Sequence, residues 1–402
     1  MSKLVFLGMM TALAAGANWT DRGEYDRVLE IKAEAAPAKR LALLDRWKKE
    51  YPKSPLRQAR WELYLSTYQA MGSWDRMLEV AHEMTADSPA AWVGLYWVTL
   101  LTPGSRQQSP DMLARAEKAA RQLLSGLDKK PEAVTADDWA RQRTHIEVMA
   151  HRTLGWIEWQ RGAYPAAERE FTTCLQKDPA NSGISAWLGT VLALQKQPEK
   201  TVPGLWHLAR AAFLEGAGAL AAGERHEVRT LLEALYSAHH GSTEGLDQLG
   251  AAACAEVFPP AGFQIESAAV IAARKQEEEL NRTNPELAAW LRIKKRLEAP
   301  EGEAYFTELM AAPLPKLKGT LIRYSPASRP KELVLGLSDP ATEEAVLKLD
   351  TAFPNKAEPG TPLEFEGTAV SFTRNPLFVT IKVTRDKITG WPAARAGAGA
   401  KR

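Results

Sequence analysis

The sequence predicts a mainly α-helical protein, a right-handed stack of helical hairpins followed by a small C-terminal β-barrel or roll. Three observations carry this. Residues 151–179, HRTLGWIEWQRGAYPAAEREFTTCLQKDP, place Leu154, Gly155, Gly162, Tyr164, Ala167, Phe171 and Pro179 at the offsets of a helix–turn–helix unit that repeats about every 34 residues. The chain up to residue 312 keeps the helical period, with apolar positions recurring three and four apart. Beyond Pro313 the period changes to the alternation of strands.

Composition sets the broad class. With 402 residues, 45% of them hydrophobic and 25% charged, the chain is ordinary globular material with room for two or three domains. A formal charge of +2 leaves no broad electrostatic footprint for nucleic acid. Residues 1–17 are expected to be a cleavable secretory signal peptide: Lys3, an apolar run from Leu4 to Ala15, then Ala15-Gly16-Ala17 at an A-x-A cleavage site. The mature chain would begin at Asn18 and be periplasmic or secreted, with no membrane span. Cys174 and Cys254 are the two cysteines. An exported protein permits a disulfide, but Cys174 falls where the repeat wants a small buried residue, so two buried thiols are expected.

The elements follow in order. Residues 18–222 form the repeat domain. Its first hairpin, 25–50, is degenerate and ends in YPKSP. The spacing recurs at 58–91 through Trp61, Tyr68, Gly72, Trp74 and Pro89. AWVGLYWVTLL and DMLARAEKAARQLLSGL make a further pair around the loop TPGSRQQSP. A long helix starts near Thr135, with Asp137 and Asp138 in the first turn, where the helix dipole favours them. Residues 182–215 keep Leu188 and Gly189 but lose the second-helix signature. A further helical segment, 223–312, brings the total to about twelve helices. Residues 313–391 hold five β-rich runs, KLKGTLIRY, KELVLGL, AVLKLD, TPLEFEGTAVSFT and LFVTIKVTRDKITG, for which an OB-like barrel is the nearest standard architecture. The tail, 392–402, is small, polar and expected to be disordered.

Chemistry-bearing residues are sparse. The chain has no GxSxG elbow, no HExxH, no Walker loop and no zinc-type Cys/His spacing, and no cofactor is expected. AHHGSTEGLDQL, at 238–249, is the densest polar cluster. His239 and His240 with nearby carboxylates suggest a metal-assisted hydrolase as one alternative. Capping explains the same run more simply: His at a helix C-terminus, Gly241 as the stop, Ser242 or Thr243 opening the next helix. In the β domain, Phe365, Phe372, Phe378 and Lys382 offer either a core or an aromatic, basic face for oligosaccharide or single-stranded nucleic acid. On the helix ending near Arg161, a rotation of about 100° per residue separates two arcs. His151, Leu154, Gly155 and Glu158 face the partner helix of the hairpin. His145, Met149, Arg152, Trp156 and Trp159 share another arc, read as an inner groove.

The hairpins resemble the tetratricopeptide-repeat family over about residues 25–215, most specifically at 151–179, where His151, Glu158 and Cys174 depart from its usual Trp, Tyr and Ala. The wider layout, including YSAHHGSTEGLDQL, FPPAGFQI and FEGTAVSFTRNP, resembles exported tetratricopeptide proteins of acidobacterial-type soil bacteria, a resemblance that implies no activity. The repeat family implies a scaffold that binds a protein or peptide partner on its inner helices. By position those contacts would fall on Arg152, Trp156, Trp159 and Gln160, with a non-enzymatic role expected.

Overall fold

A computed structural model describes residues 19–105, 109–129 and 135–393. The expected leader, 1–17, and the tail beyond Ala393 lie outside the described residues. The chain divides into two compact units, Met1–Ile265 and Glu266–Arg402. The segment 223–312, read from sequence as one helical stretch, is therefore shared between them. Among the described residues fifteen α-helices precede residue 313, against about twelve expected. None is long and apolar enough to cross a membrane.

In the first unit the helices run as consecutive pairs: α1 (Arg22–Ala33) and α2 (Pro37–Glu50), α3 (Arg57–Ala70) and α4 (Trp74–Asp87), α5 (Trp92–Leu101) and α6 (Pro110–Gly126), α7 (Ala136–Gln160) and α8 (Tyr164–Lys177), α9 (Ser182–Leu194) and α10 (Pro198–Phe213). Each packs on the next in sequence, and α11 (Ala222–His240) and α12 (Leu246–Ala255) both pack on α10. Amphipathic helices joined by short turns have this solution open to them, because each buries its apolar stripe on its immediate neighbours. One apolar core runs through the array from Val28 to Leu192, and a second gathers Trp206, Leu232, Tyr236 and Leu249.

The residues that define the 151–179 hairpin act locally. Gly155 is buried against α8 so closely that a Cβ there would stand 2.6 Å from the Phe171 ring. Ala167, Phe171 and Cys174 are buried on the facing side of α8. Gly162 makes the turn at φ +74°, in the left-handed region that costs glycine nothing. At the other end of α7, the Thr135 hydroxyl accepts from the Asp138 amide at 3.1 Å, and Asp137 and Asp138 occupy the first turn as expected. The Cys174 thiol donates to the Val148 carbonyl at 3.4 Å. Cys254 is half-buried, and both cysteines are free.

In the second unit α13 (Ala268–Thr283), α14 (Pro285–Glu298) and α15 (Gly302–Met310) precede a seven-stranded mixed sheet. Its strands are β1 (Leu317–Ser325), β2 (Glu332–Gly336), β3 (Ala345–Leu349), β4 (Pro362–Phe365), β5 (Thr368–Arg374), β6 (Leu377–Val383) and β7 (Ile388–Thr389), in the order β5-β6-β3-β2-β1-β4-β7. All pairs are antiparallel except β3 with β6. α14 packs on β1 and α15 on β5, burying Trp290, Leu317, Phe365 and Ile381 together.

Two β-domain expectations are corrected here. The fourth and fifth runs each hold two strands rather than one. Gly367, between β4 and β5, sits where a Cβ would meet the Lys382 carbonyl at 2.6 Å, so the chain bends there and leaves the ladder. The sheet is also not closed into a barrel. β5 and β7 stand at the two ends of the strand order and do not pair with each other, so both remain edges.

A buried ion pair joins helix to sheet within this unit. Glu344 is 2% exposed and accepts from Lys294 Nζ on α14 at 2.6 Å and from the Leu337 amide at 2.8 Å. Burial by itself would raise its pKa, but the hydrogen bonds from Lys294, from both groups of Ser338 and from Leu337 outweigh it and hold the carboxyl at about 2.

Candidate functional site

The two arcs read on α7 meet different fates. The first behaves as expected: His151 Nδ1 donates to the Glu170 carboxylate on α8 at 2.7 Å, beside the Gly155–Phe171 contact. The second arc is not an open groove, because α5 lies against it. Arg152 Nη2 donates to the Leu100 carbonyl at 2.8 Å and Thr153 Oγ1 to the Thr99 carbonyl at 2.7 Å. The Tyr96 hydroxyl lies 3.4 Å from His145 Nε2. Met149 is buried, and Trp156, at 5% exposure, belongs to the core. Trp156 as an exposed anchor is therefore corrected. An indole at that rotation of α7 is enclosed by the packed array, where burying it stabilises by several kcal/mol, about 3–5 on truncation.

Arg152 is likewise turned to structure. Its guanidinium meets the last turn of α5, where orphaned carbonyls and the negative end of the helix dipole favour a cation. The same device recurs through the unit. Arg40 donates to the Glu34 carbonyl at the end of α1, Arg60 to the Tyr51 carbonyl at the end of α2, and Arg225 to the Leu214 carbonyl at the end of α10. Arg210 is the fullest case: Nη2 donates to the Pro179 carbonyl at 2.6 Å and Nη1 to the Ala253 carbonyl at 2.8 Å.

Burial shapes the titration of this cluster. It lowers the Arg152 and His145 pKa values, with the Arg152 charge adding to the effect on His145, and it raises that of Tyr96. Burial, reinforced by Glu170, pushes the Cys174 thiol up to about 12, which removes it from thiolate chemistry at neutral pH.

What remains accessible is the end of α7. Trp159 is half-buried and Gln160 exposed. The Trp159 ring stands edge-on to Trp187 of α9, with centroids 6.2 Å apart, and Trp187 also leans on Phe171 at 5.7 Å. Both indoles keep part of their surface in solvent, on two helices separated in sequence by α8. On α8, Glu168 accepts from Gln195 Nε2 and from Lys200 Nζ, each at 2.7 Å. Trp187 was not singled out from sequence. The signal was present: it lies 34 positions beyond Thr153, immediately before the Leu188-Gly189 pair.

The histidine run resolves into capping. α11 ends at His240, and Gly241 takes φ +89° and donates its amide to the Ser237 carbonyl. His239 Nε2 donates to the Ile265 carbonyl at 3.0 Å, and the His240 ring lies 5.2 Å from that of Tyr236. The next helix starts later than expected. Its N-cap is Gly245 rather than Ser242 or Thr243, and Tyr236 Oη donates to the Glu244 carbonyl at 2.7 Å across the turn. Among the described residues no group of three or more His, Cys, Asp or Glu side chains is placed to hold a metal ion.

In the sheet unit, Phe365 is core at 1% exposure, and Phe372 is covered by Phe306 of α15 at 4.7 Å. Phe378 is half-buried and Lys382 exposed, so the four residues do not form one aromatic face. Compared with protein-family models, curated proteins and solved structures, the chain matches none of them.

Proposed function

We propose that the first unit is a recognition scaffold of tetratricopeptide-like hairpins, exported from the cytoplasm, which holds a segment of another protein against the face where α7 and α9 meet. The observation that carries this reading is the pair Trp159 and Trp187, two part-exposed indoles edge-to-face on neighbouring helices, with Gln160 beside them. Tryptophans set in a well-packed surface and ringed by polar groups are the usual energetic anchors of protein interfaces. Arg152 and Trp156 support the face from behind, the first by tying α7 to α5 and the second by filling the core.

Selection of a displayed random-peptide library on the purified protein tests it. Wild type should enrich a sequence family with a recurring apolar anchor, and Trp159→Ala/Trp187→Ala should bind the enriched peptides at least tenfold more weakly while Trp74→Ala, at an exposed indole on α4, binds them normally. Enriched peptides that bind the double variant as well as wild type would place recognition elsewhere.

A further inference from the structure

Within the first unit, the start of α10 and the segment 259–265 enclose a cleft of about 400 Å³, in the size range of small-molecule sites. Its walls are apolar: Val202 and Pro203 on the helix, Pro259, Pro260, Phe263 and Ile265 on the segment. The cleft is built rather than incidental. Phe263 is braced edge-on against the buried Trp206 at 4.9 Å, Gly262 turns at φ +79°, and the Ile265 carbonyl is pinned by His239 Nε2 at 3.0 Å.

The cleft offers hydrogen-bond acceptors at Glu199. Pro203 lies inside α10 and has no amide hydrogen, so the carbonyl four residues earlier, that of Glu199, is deprived of its helical donor. A helical carbonyl points along the axis toward the residue four ahead, and Glu199 and Pro203 both line the cleft, so this acceptor lies on its wall. The Glu199 carboxylate stands exposed at the same rim and forms no ion pair among the described residues; the neighbouring Lys200 is committed to Glu168 at 2.7 Å. Gln264 adds an amide at the opposite side. No cationic side chain lines the cleft.

We propose that this cleft binds a small molecule carrying a protonated amine on an apolar body, the ammonium placed at the carboxylate and the backbone carbonyl of Glu199 and the body between Val202, Pro203 and Phe263. An ammonium has three donors and no acceptor, which matches two acceptors of one residue, and Phe263 and the prolines supply the dry surface for the rest. The volume suits a molecule of one ring with a short chain rather than a folded partner.

Calorimetric titration of the full chain with 2-phenylethylamine, 2-phenylethanol and phenylacetate tests this, since the three share one body and differ in the polar end. The amine should bind at least tenfold tighter than the alcohol, and phenylacetate weakest. Glu199→Gln should reduce the amine to the affinity of the alcohol. Pro203→Ala, which returns an amide to the Glu199 carbonyl, should weaken amine and alcohol alike several-fold, and Val202→Trp should abolish all binding by filling the space. Absence of amine binding at millimolar concentration, equal binding of amine and phenylacetate, or an unchanged affinity in both Pro203→Ala and Glu199→Gln would overturn the proposal.

Discussion

Lys196 occupies, 34 positions after Gly162, the same left-handed turn between paired helices, at φ +54° where Gly162 has φ +74°. Gly72, in the α3–α4 hairpin, does the same at φ +65°. Three hairpins thus reverse through one backbone conformation, twice with the residue suited to it and once with a residue that carries a Cβ into it at a cost of about 1–2 kcal/mol. The geometry of the turn is retained where its sequence signature has been lost.

Two substitutions of opposite sign follow from that relationship. Lys196→Gly should stabilise the first unit by about 0.5–1 kcal/mol, the relief of strain being partly offset by the greater freedom of glycine in the unfolded chain. Gly162→Ala should destabilise it by about 1 kcal/mol, although a Cβ at Gly162 meets nothing within 4 Å. Urea unfolding read at the midpoint, with an unchanged slope, checks both.

Stability should fall on mild acidification through His207. This side chain is 2% exposed; burial first, and Arg210 second, lower its pKa to about 4 from 6.5. A histidine whose folded pKa lies below its unfolded value gives stability that is complete above about pH 6.5 and is lost as the unfolded chain takes up a proton the folded chain refuses, down to about pH 4. The loss amounts to about 3 kcal/mol over that window, at about 1.4 kcal/mol per pH unit. His82 and His145, also lowered by burial, act in the same direction. Urea titrations at several pH values should show a slope shallower by about one proton in His207→Leu than in wild type; identical slopes would remove His207 from the explanation.

In the sheet unit, Glu344→Gln should cost about 3–5 kcal/mol, because Lys294 then keeps its charge against a neutral partner in a largely buried setting. Glu344→Gln combined with Lys294→Met should recover part of that loss. A double-mutant cycle measured by thermal unfolding or by hydrogen exchange of the β2–β3 amides gives the coupling. Independent, additive losses would mean that the two groups do not act as a pair.

Trp156 and Trp159 of α7 should separate by mechanism. Trp156→Ala should lower stability by about 3–5 kcal/mol as a core truncation, whereas Trp159→Ala, at a part-exposed indole on the edge of that core, should cost less. Equal losses would erase the distinction on which Trp159 is assigned to the surface.

What was legible in the sequence was what depends on near neighbours. Gly155 and Phe171 announce a close helix pair because only glycine tolerates a ring at 2.6 Å from its missing Cβ, and Gly162 announces a reversal because its φ is positive. Asp137 and Asp138 mark a helix start by their charge. Lys196 was hidden because a lysine says nothing of a left-handed φ. Trp156 and Trp159 share an arc of α7, and the arc alone does not say that α5 lies against it and takes up the Arg152 guanidinium. Gly367 in the β region looked like a strand residue until the close approach of the Lys382 carbonyl, fixed by tertiary packing, broke the run in two. The cleft beside α10 depends on a proline in a helix and a segment some sixty residues later, a pairing no local pattern contains.

Hydrogen exchange of the full chain with and without a peptide selected on it asks where recognition happens. Recognition through the Trp159–Trp187 face should slow exchange in the last turns of α7 and the first turns of α9, and Trp159→Ala/Trp187→Ala should remove that protection. Protection confined to the sheet unit, or to α11 and α12, with α7 and α9 exchanging as in the free protein, would contradict it.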